Sequence, residues 1–196
     1  RVGFFEAAAI SMEPDGSVRA RFGTHNHGQG HQTSFAQIIS AQLGVPIEQI
    51  EIIEGDTDIV PYGTGTFGSR SIAVGGSALT VATKKIIDKG RIIAAHLLEA
   101  AQGDIAFEAG KFSVAGTNHS VTLAEVARAA YVPHNFPLAD VEPGLHADAS
   151  YDPKSFAFSN GVHVCEVEVD IETGVVRPDL RVVVADLVDI LGVGMD

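Results

Sequence analysis

Two polar, glycine-rich loops constrain the fold more than any other feature of this sequence. One is Gly23-Thr24-His25-Asn26-His27-Gly28-Gln29-Gly30. The other is Asp56–Ser71, dense in Gly, Thr and Ser. Each separates a strand-like segment from a helical one. A chain that twice runs strand, loop, helix reads as a mixed fold in which strands and helices interleave.

The flanking segments have clear periods. Phe4–Met12 reads as a strand, Pro14-Asp15-Gly16-Ser17 as a turn, and Val18, Ala20 and Phe22 alternate with Arg19 and Arg21 in a second strand, which predicts a hairpin. After the first loop, Phe35, Ile38, Ile39, Gln42 and Leu43 fall at helical spacing, with Gly44 and Pro46 as stop signals. A short strand is expected around Ile50–Glu54. After the second loop a long helix is expected over about Ala73–Ala101, its apolar stripe marked by Leu79, Ala82, Ile86, Ile93 and Leu97, with a kink at Gly90. Ile105–Val114 reads as a small hairpin about Glu108-Ala109-Gly110-Lys111. Thr122 and Glu125 have capping-box spacing, which predicts a short helix over Thr122–Tyr131. Val132–Pro153 reads as a long irregular arm. Cys165, Val167, Val169 and Ile171 alternate with Glu166, Glu168 and Asp170 in an amphipathic strand, and Glu172-Thr173-Gly174 turns it into Val175–Val184. Asp186–Asp196 has no strong pattern. The fold class is α+β, strands and helices interleaved, with 1–196 as one body: 1–101 carries the two loops and their helices, 102–155 the small hairpin, helix and arm, and 156–185 a β-hairpin scaffold.

Charge excludes several functions. Lys and Arg number 13 against 25 Asp and Glu, a net charge of −12, and such a surface repels nucleic acid and anionic lipid. No apolar run approaches the ~20 residues of a membrane span. The single Cys165 cannot close an internal disulfide, and iron–sulfur clusters need several Cys. A reducing, cytoplasmic setting is expected. The chain begins at Arg1 without a leader pattern, so the expectation is a piece of a longer polypeptide.

Three constellations could carry chemistry. His25, His27 and His31 cluster as metal-binding histidines do, but no carboxylate occurs between Arg21 and Glu48 and the base of a His-Glu-x-x-His helix is absent. The competing reading is loop histidines bonded to backbone or ligand, and no metal site is assigned. Gly63-Thr64-Gly65-Thr66-Phe67-Gly68 is a literal G-x-G-x-x-G between strand and helix, the context of a dinucleotide fingerprint. Its distance from the preceding strand does not suit that tight turn. The third reading joins the loops. Gly28-Gln29-Gly30 opens one helix and Gly68-Ser69-Arg70-Ser71 the other. Helix starts present unpaired N–H groups that suit anions, and glycines admit close approach. Two such loops together would hold a large polar ligand carrying phosphate; the alternative is two ordinary polar loops with cap residues.

The residues also resemble a family. Gly23 to Thr33, with Gly28-Gln29-Gly30 at its centre, is similar to the G-T-x-x-x-G-Q-G-x-x-T segment of the molybdenum hydroxylases, the xanthine oxidase, aldehyde oxidase and carbon monoxide dehydrogenase group. The similarity continues through Leu43-Gly44-Val45-Pro46, Glu54-Gly55-Asp56-Thr57-Asp58 and Gly65-Thr66-Phe67-Gly68-Ser69-Arg70-Ser71. It resumes over Phe158–Asp170 and Glu172-Thr173-Gly174. The resemblance implies a piece of the large, cofactor-binding subunit of an oxidoreductase that hydroxylates an aldehyde, purine or N-heterocycle carbon, or oxidises CO, with water as oxygen source. It implies that Gly28, Gln29 and Gly30 form one clasp on the molybdenum cofactor (molybdopterin, as the cytosine dinucleotide) and Gly68, Ser69, Arg70 and Ser71 the other; the chemistry of the residues agrees, with amide N–H groups, Gln and Ser for a phosphate and Arg70 as its counter-charge. The family's catalytic Glu is expected outside this chain, as are the 2Fe–2S and FAD centres on partner subunits or domains and the remaining half of the large subunit. By itself the piece is expected to be inactive, and to self-associate through the Cys165–Ile171 strand and the long helix after Ser71. The alternative function is a non-catalytic nucleotide-binding module built on Gly63–Gly68; a structural piece without ligand is the third.

Overall fold

The computed structural model describes residues 5–60, 62–155 and 166–179. The chain divides into two compact units, Arg1–Phe156 and Ala157–Asp196.

The first unit is built on a four-stranded sheet. β1 (Glu6–Met12) and β2 (Val18–Phe22) form the expected hairpin. Asp15 closes its turn by accepting the Ser17 N–H and hydroxyl at 2.9 and 2.7 Å. α1 (His31–Leu43) follows the first loop and ends at Gly44, whose φ of 69° is the left-handed cap that glycine adopts without steric cost. β3 (Ile50–Glu54) then pairs parallel to β2, Val18 opposite Ile50 and Phe22 opposite Glu54. A parallel neighbour needs a crossover, and α1 is that crossover.

After the second loop, one turn of π-helix (Ser71–Gly76) leads into α2 (Ser77–Leu97). Both helices pack on one face of the sheet. That face carries Ala8, Ile10, Met12, Val18, Ala20 and Phe22, all buried, against Phe35, Ile39, Leu43, Leu79, Ala82, Ile86 and Ile93. Alternation of period 2 in the strands and 3.6 in the helices puts these residues on facing surfaces. The α2 stripe is therefore covered within this unit, which removes the helix as a ground for self-association. α2 also runs unbroken through Gly90, where a kink was expected. A Cβ there would stand 2.7 Å from the Phe112 ring, so Gly90 is an approach site for that aromatic.

The small hairpin forms as expected from β4 (Ile105–Glu108) and β5 (Lys111–Val114), with β6 (Ser120–Thr122) added to its edge. α3 (Leu123–Ala130) starts at Thr122, whose hydroxyl accepts the Glu125 N–H at 3.2 Å while the Glu125 carboxylate accepts the Thr122 N–H at 2.8 Å. The segment Val132–Pro153 is not irregular throughout. Leu145–Tyr151 is β7, antiparallel to β1 from Glu6–Tyr151 to Met12–Leu145, which gives the order β3-β2-β1-β7. Its local sequence is poor in β-branched residues. Small side chains at Ala147 and Ala149 suit a strand because α2 lies close over them, a tertiary cause.

In the second unit β8 (Glu166–Val169) and β9 (Val176–Asp179) form the expected antiparallel hairpin about a turn in which Asp170 accepts the Glu172 and Thr173 N–H groups. Val167, Val169 and Ile171 are exposed. Phe4, Phe158–Cys165, the remainder of the Val175–Val184 strand and Asp186–Asp196 lie outside the described residues.

Candidate functional site

The two loops meet at their roots. Gly23 and Gly63 touch backbone to backbone: a Cβ on either would collide with the main chain of the other. Gly65 N–H donates to Gly23 O at 3.0 Å, and His25 N–H to Thr66 Oγ1 at 2.9 Å. The Ser71 hydroxyl donates to the same Thr66 oxygen at 3.0 Å. Gly63 is therefore a packing glycine, which accounts for it without a nucleotide and leaves the G-x-G-x-x-G reading unsupported there.

The helices that follow also start beside each other. Gly75, in the π-turn, leaves room for Thr24 and Phe35; a Cβ would lie 3.3 Å from Thr24 Cγ2. Neither start is capped. Gly30 precedes α1 and Arg70 precedes the π-turn, with no side-chain cap and no acidic residue in the first turn of either. Such ends carry orphan N–H groups and partial positive charge. In front of them Gly28, Gly30, Gly65 and Gly68 have φ of 102°, 76°, 77° and 63°. A Cβ at any of the four would meet nothing within 4 Å, so the backbone faces open space. Ser69 shares the left-handed conformation (φ 54°), which is costly for a residue with a side chain. The glycine cradle and the neutral N–H and hydroxyl donors fit a large polar group bearing phosphate.

Some expected donors are engaged differently. The Gly28 and Gln29 N–H groups donate to Asn26 Oδ1 at 2.9 and 3.0 Å, and Gln29 Oε1 accepts the His27 N–H. Arg70 is in the second loop, but its side chain points away from a counter-charge role. It is buried, donating from Nη1 to Glu6 Oε2 and Thr64 Oγ1, both at 2.7 Å, and from Nη2 to Phe5 O at 3.2 Å. Its guanidinium carbon stands 5.1 Å from the Phe67 ring centre. A buried carboxylate needs such a partner, and Glu6 has no exposed surface.

The histidines separate. His25 and His27 are exposed and meet edge to face at 4.6 Å, whereas His31 turns inward, 3% exposed, with Nδ1 3.0 Å from Glu54 Oε1. Among the described residues no group of three His, Cys, Asp or Glu is placed to hold a metal ion. None of the described helices is long and apolar enough to cross a membrane.

Sequence reasoning missed Glu6, Asn26, Glu54, Thr64 and Thr66. For Glu6 a signal existed: it shares the inward phase of β1 with Ala8, Ile10 and Met12, where a carboxylate requires a buried partner. Glu54 occupies the matching inward phase at the end of β3.

Residues 2–192 match the family model described as molybdopterin cofactor-binding domain. The chain is 46% identical over 174 residues to the carbon monoxide dehydrogenase large chain of Hydrogenophaga pseudoflava, covering 88% of this chain and 21% of that one. It superposes with a TM-score of 0.78 on reconstituted CO dehydrogenase from Oligotropha carboxidovorans, at 44% identity, covering 90% of this chain and 22% of that one. Quinoline 2-oxidoreductase from Pseudomonas putida 86 gives a TM-score of 0.70 at 34% identity, covering 89% and 22%. The chain thus spans about a fifth of the length of the relatives it matches.

Proposed function

The chain belongs to the molybdopterin cofactor-binding domain family, and from that premise we propose that it is the cofactor grip of a molybdenum hydroxylase large subunit of the carbon monoxide dehydrogenase type. The observation that carries this is the pair of adjacent, uncapped helix starts fronted by left-handed glycines facing open space. Gly28, Gln29 and Gly30 form one clasp, and Gly68, Ser69, Arg70 and Ser71 the other. The glycines let the ligand reach the backbone; Gln29 and Ser69 offer side-chain hydrogen bonds, while the Ser71 hydroxyl is already donated to Thr66, so Ser71 contributes from the main chain. Arg70 contributes from the main chain, while its guanidinium holds the loop to Glu6. The ligand is molybdopterin as its cytosine dinucleotide, long enough to engage both clasps. When bound, that group supplies the two-electron redox centre of the parent enzyme.

The parent oxidises CO, or hydroxylates an aldehyde, purine or N-heterocycle carbon, with water as oxygen source. Its carboxylate base lies elsewhere in the large subunit, so this chain alone grips the cofactor without turnover. One Cys cannot ligate a 2Fe–2S cluster, so that centre and FAD belong to partner subunits or domains. The setting is cytoplasmic. Within the chain, 1–101 carries the clasps, 102–155 is the small hairpin, helix and arm, and 156–185 is scaffold.

The test is Gln29→Ala and Ser69→Ala in the full-length subunit. Each removes a hydrogen bond to phosphate worth about 1.5–3 kcal/mol, so molybdenum and pterin per subunit fall about tenfold or more at limiting cofactor. Melting temperature stays within the range of an exposed polar substitution. Normal molybdenum content in both variants would overturn the assignment.

A further inference from the structure

One carboxylate ties together three separate parts of the site. Glu54 ends β3, one glycine before the second loop begins at Asp56, and its side chain is 6% exposed. Its Oε1 accepts the Thr24 hydroxyl and lies 3.0 Å from His31 Nδ1. Thr24 and His31 are 1% and 3% exposed, and they bracket the first loop: Thr24 enters it, and His31 is the first residue of α1. The His25 ring lies over Gly55, where a Cβ would stand 2.5 Å from its Nδ1. Glu54 Oε2 is buried with no hydrogen-bond partner among the described residues. An unpaired buried carboxylate oxygen is unfavourable, so Glu54 is poorly explained as a core residue chosen for stability.

We propose that Glu54 is a positioning residue that holds both ends of the first cofactor loop to the root of the second and so sets the spacing of the two clasps. The proposal rests on the cofactor reading above for its purpose, but the geometry of the latch does not depend on it. Oε1 is the shared acceptor. Without it the Thr24 hydroxyl and His31 Nδ1 lose their common anchor, and residues 24–31 are held to 55–71 only by the remaining contacts at the loop roots. Glutamine keeps an oxygen at that place, whereas aspartate is one methylene too short to serve both donors.

The experiment compares wild-type full-length subunit with Glu54→Ala, Glu54→Asp, Glu54→Gln and Thr24→Val. Amide hydrogen exchange is read by segment, beside molybdenum and pterin content and a melting curve. Glu54→Ala and Glu54→Asp are expected to raise exchange in 24–31 and 55–71 by about tenfold and to lower cofactor content. β1, β7 and α2 remain protected. Thr24→Val, which removes one of the two bonds, falls between, and Glu54→Gln restores near-wild-type exchange and content. Unchanged loop exchange in Glu54→Ala would overturn the latch. So would a rise shared equally by β1, β7 and α2, or a Glu54→Gln variant as damaged as Glu54→Ala. If Glu54→Ala does not fold, the Thr24→Val and Glu54→Gln pair decides. A wild-type subunit without molybdenum and pterin would instead sink the cofactor reading, with the exchange pattern still deciding the latch.

Discussion

The start of α3 and the starts of the two loop-borne helices differ in one respect. α3 satisfies its own first amides: Thr122 and Glu125 exchange hydrogen bonds in a complete capping box. α1 and the π-turn before α2 have no side-chain cap and no acidic residue in the first turn. A missing side-chain cap forgoes about 1 kcal/mol where the cap position carries a side chain, and only a few tenths where it is a glycine such as Gly30. A helix that serves only the fold closes its own end. The two that front the glycine loops keep theirs open, and open N–H groups are what an anionic ligand requires. On the proposed reading, the contrast separates scaffold from site within a single unit.

The largest expected effect comes from the anchor of the open starts. Arg70→Met would leave Glu6 buried without its ion-pair partner, and urea denaturation should show a loss of about 3–5 kcal/mol. The double variant Glu6→Met with Arg70→Met should recover much of that, because no charge then remains buried. A single variant within about 1 kcal/mol of wild type would show that the second loop does not depend on this pair.

A smaller effect is expected at the closed start. Thr122→Ala should cost about 1 kcal/mol and leave molybdenum content unchanged, since α3 takes no part in the grip. The same box has a pH signature. The Thr122 N–H and hydroxyl hold the Glu125 carboxyl below its ordinary range. A carboxyl lowered in the folded state contributes its full stabilisation above its unfolded pKa and loses it as pH falls through the folded one. The stability difference between wild type and Glu125→Gln is therefore present at neutral pH. It should vanish as the solution is acidified below about pH 4. A difference that persists unchanged to strong acid would contradict the ionised box.

The smallest effect is the most discriminating. Gln32→Glu places an acid in the first turn of α1, where an ordinary helix gains about 0.3–1 kcal/mol from its dipole. The melting temperature should rise slightly while cofactor content falls, because the new carboxylate repels the phosphate. A rise in both would make the open start an accident of sequence.

Much of this was legible beforehand for a physical reason. The alternation in Val18–Phe22, the helical spacing from Phe35 to Leu43 and the Thr122–Glu125 box are local patterns, and their partners lie within a few residues. Glycines at 28, 30 and 68 marked left-handed positions in the two loops because few other residues take such a backbone cheaply. What stayed hidden was non-local. β7 has little strand character of its own and is a strand because β1 pairs with it. Gly90 read as a kink because Phe112, which fills its place, comes from another element.

The sequence by itself determined which segments are strands and helices over most of the larger unit, which faces are apolar, and where two glycine loops enter helices. Only the tertiary structure decided where the charges go. Arg70 is 64 residues from Glu6, and His31 is 23 from Glu54. Nothing in their local sequence says that one spends its charge in the sheet and the other turns from the neighbouring histidines to a carboxylate. Apolar burial is non-directional and can be read from periodicity along one element. A buried charge needs one particular partner at about 3 Å, and which residue stands there is set by strand order and crossover, not by the chain on either side.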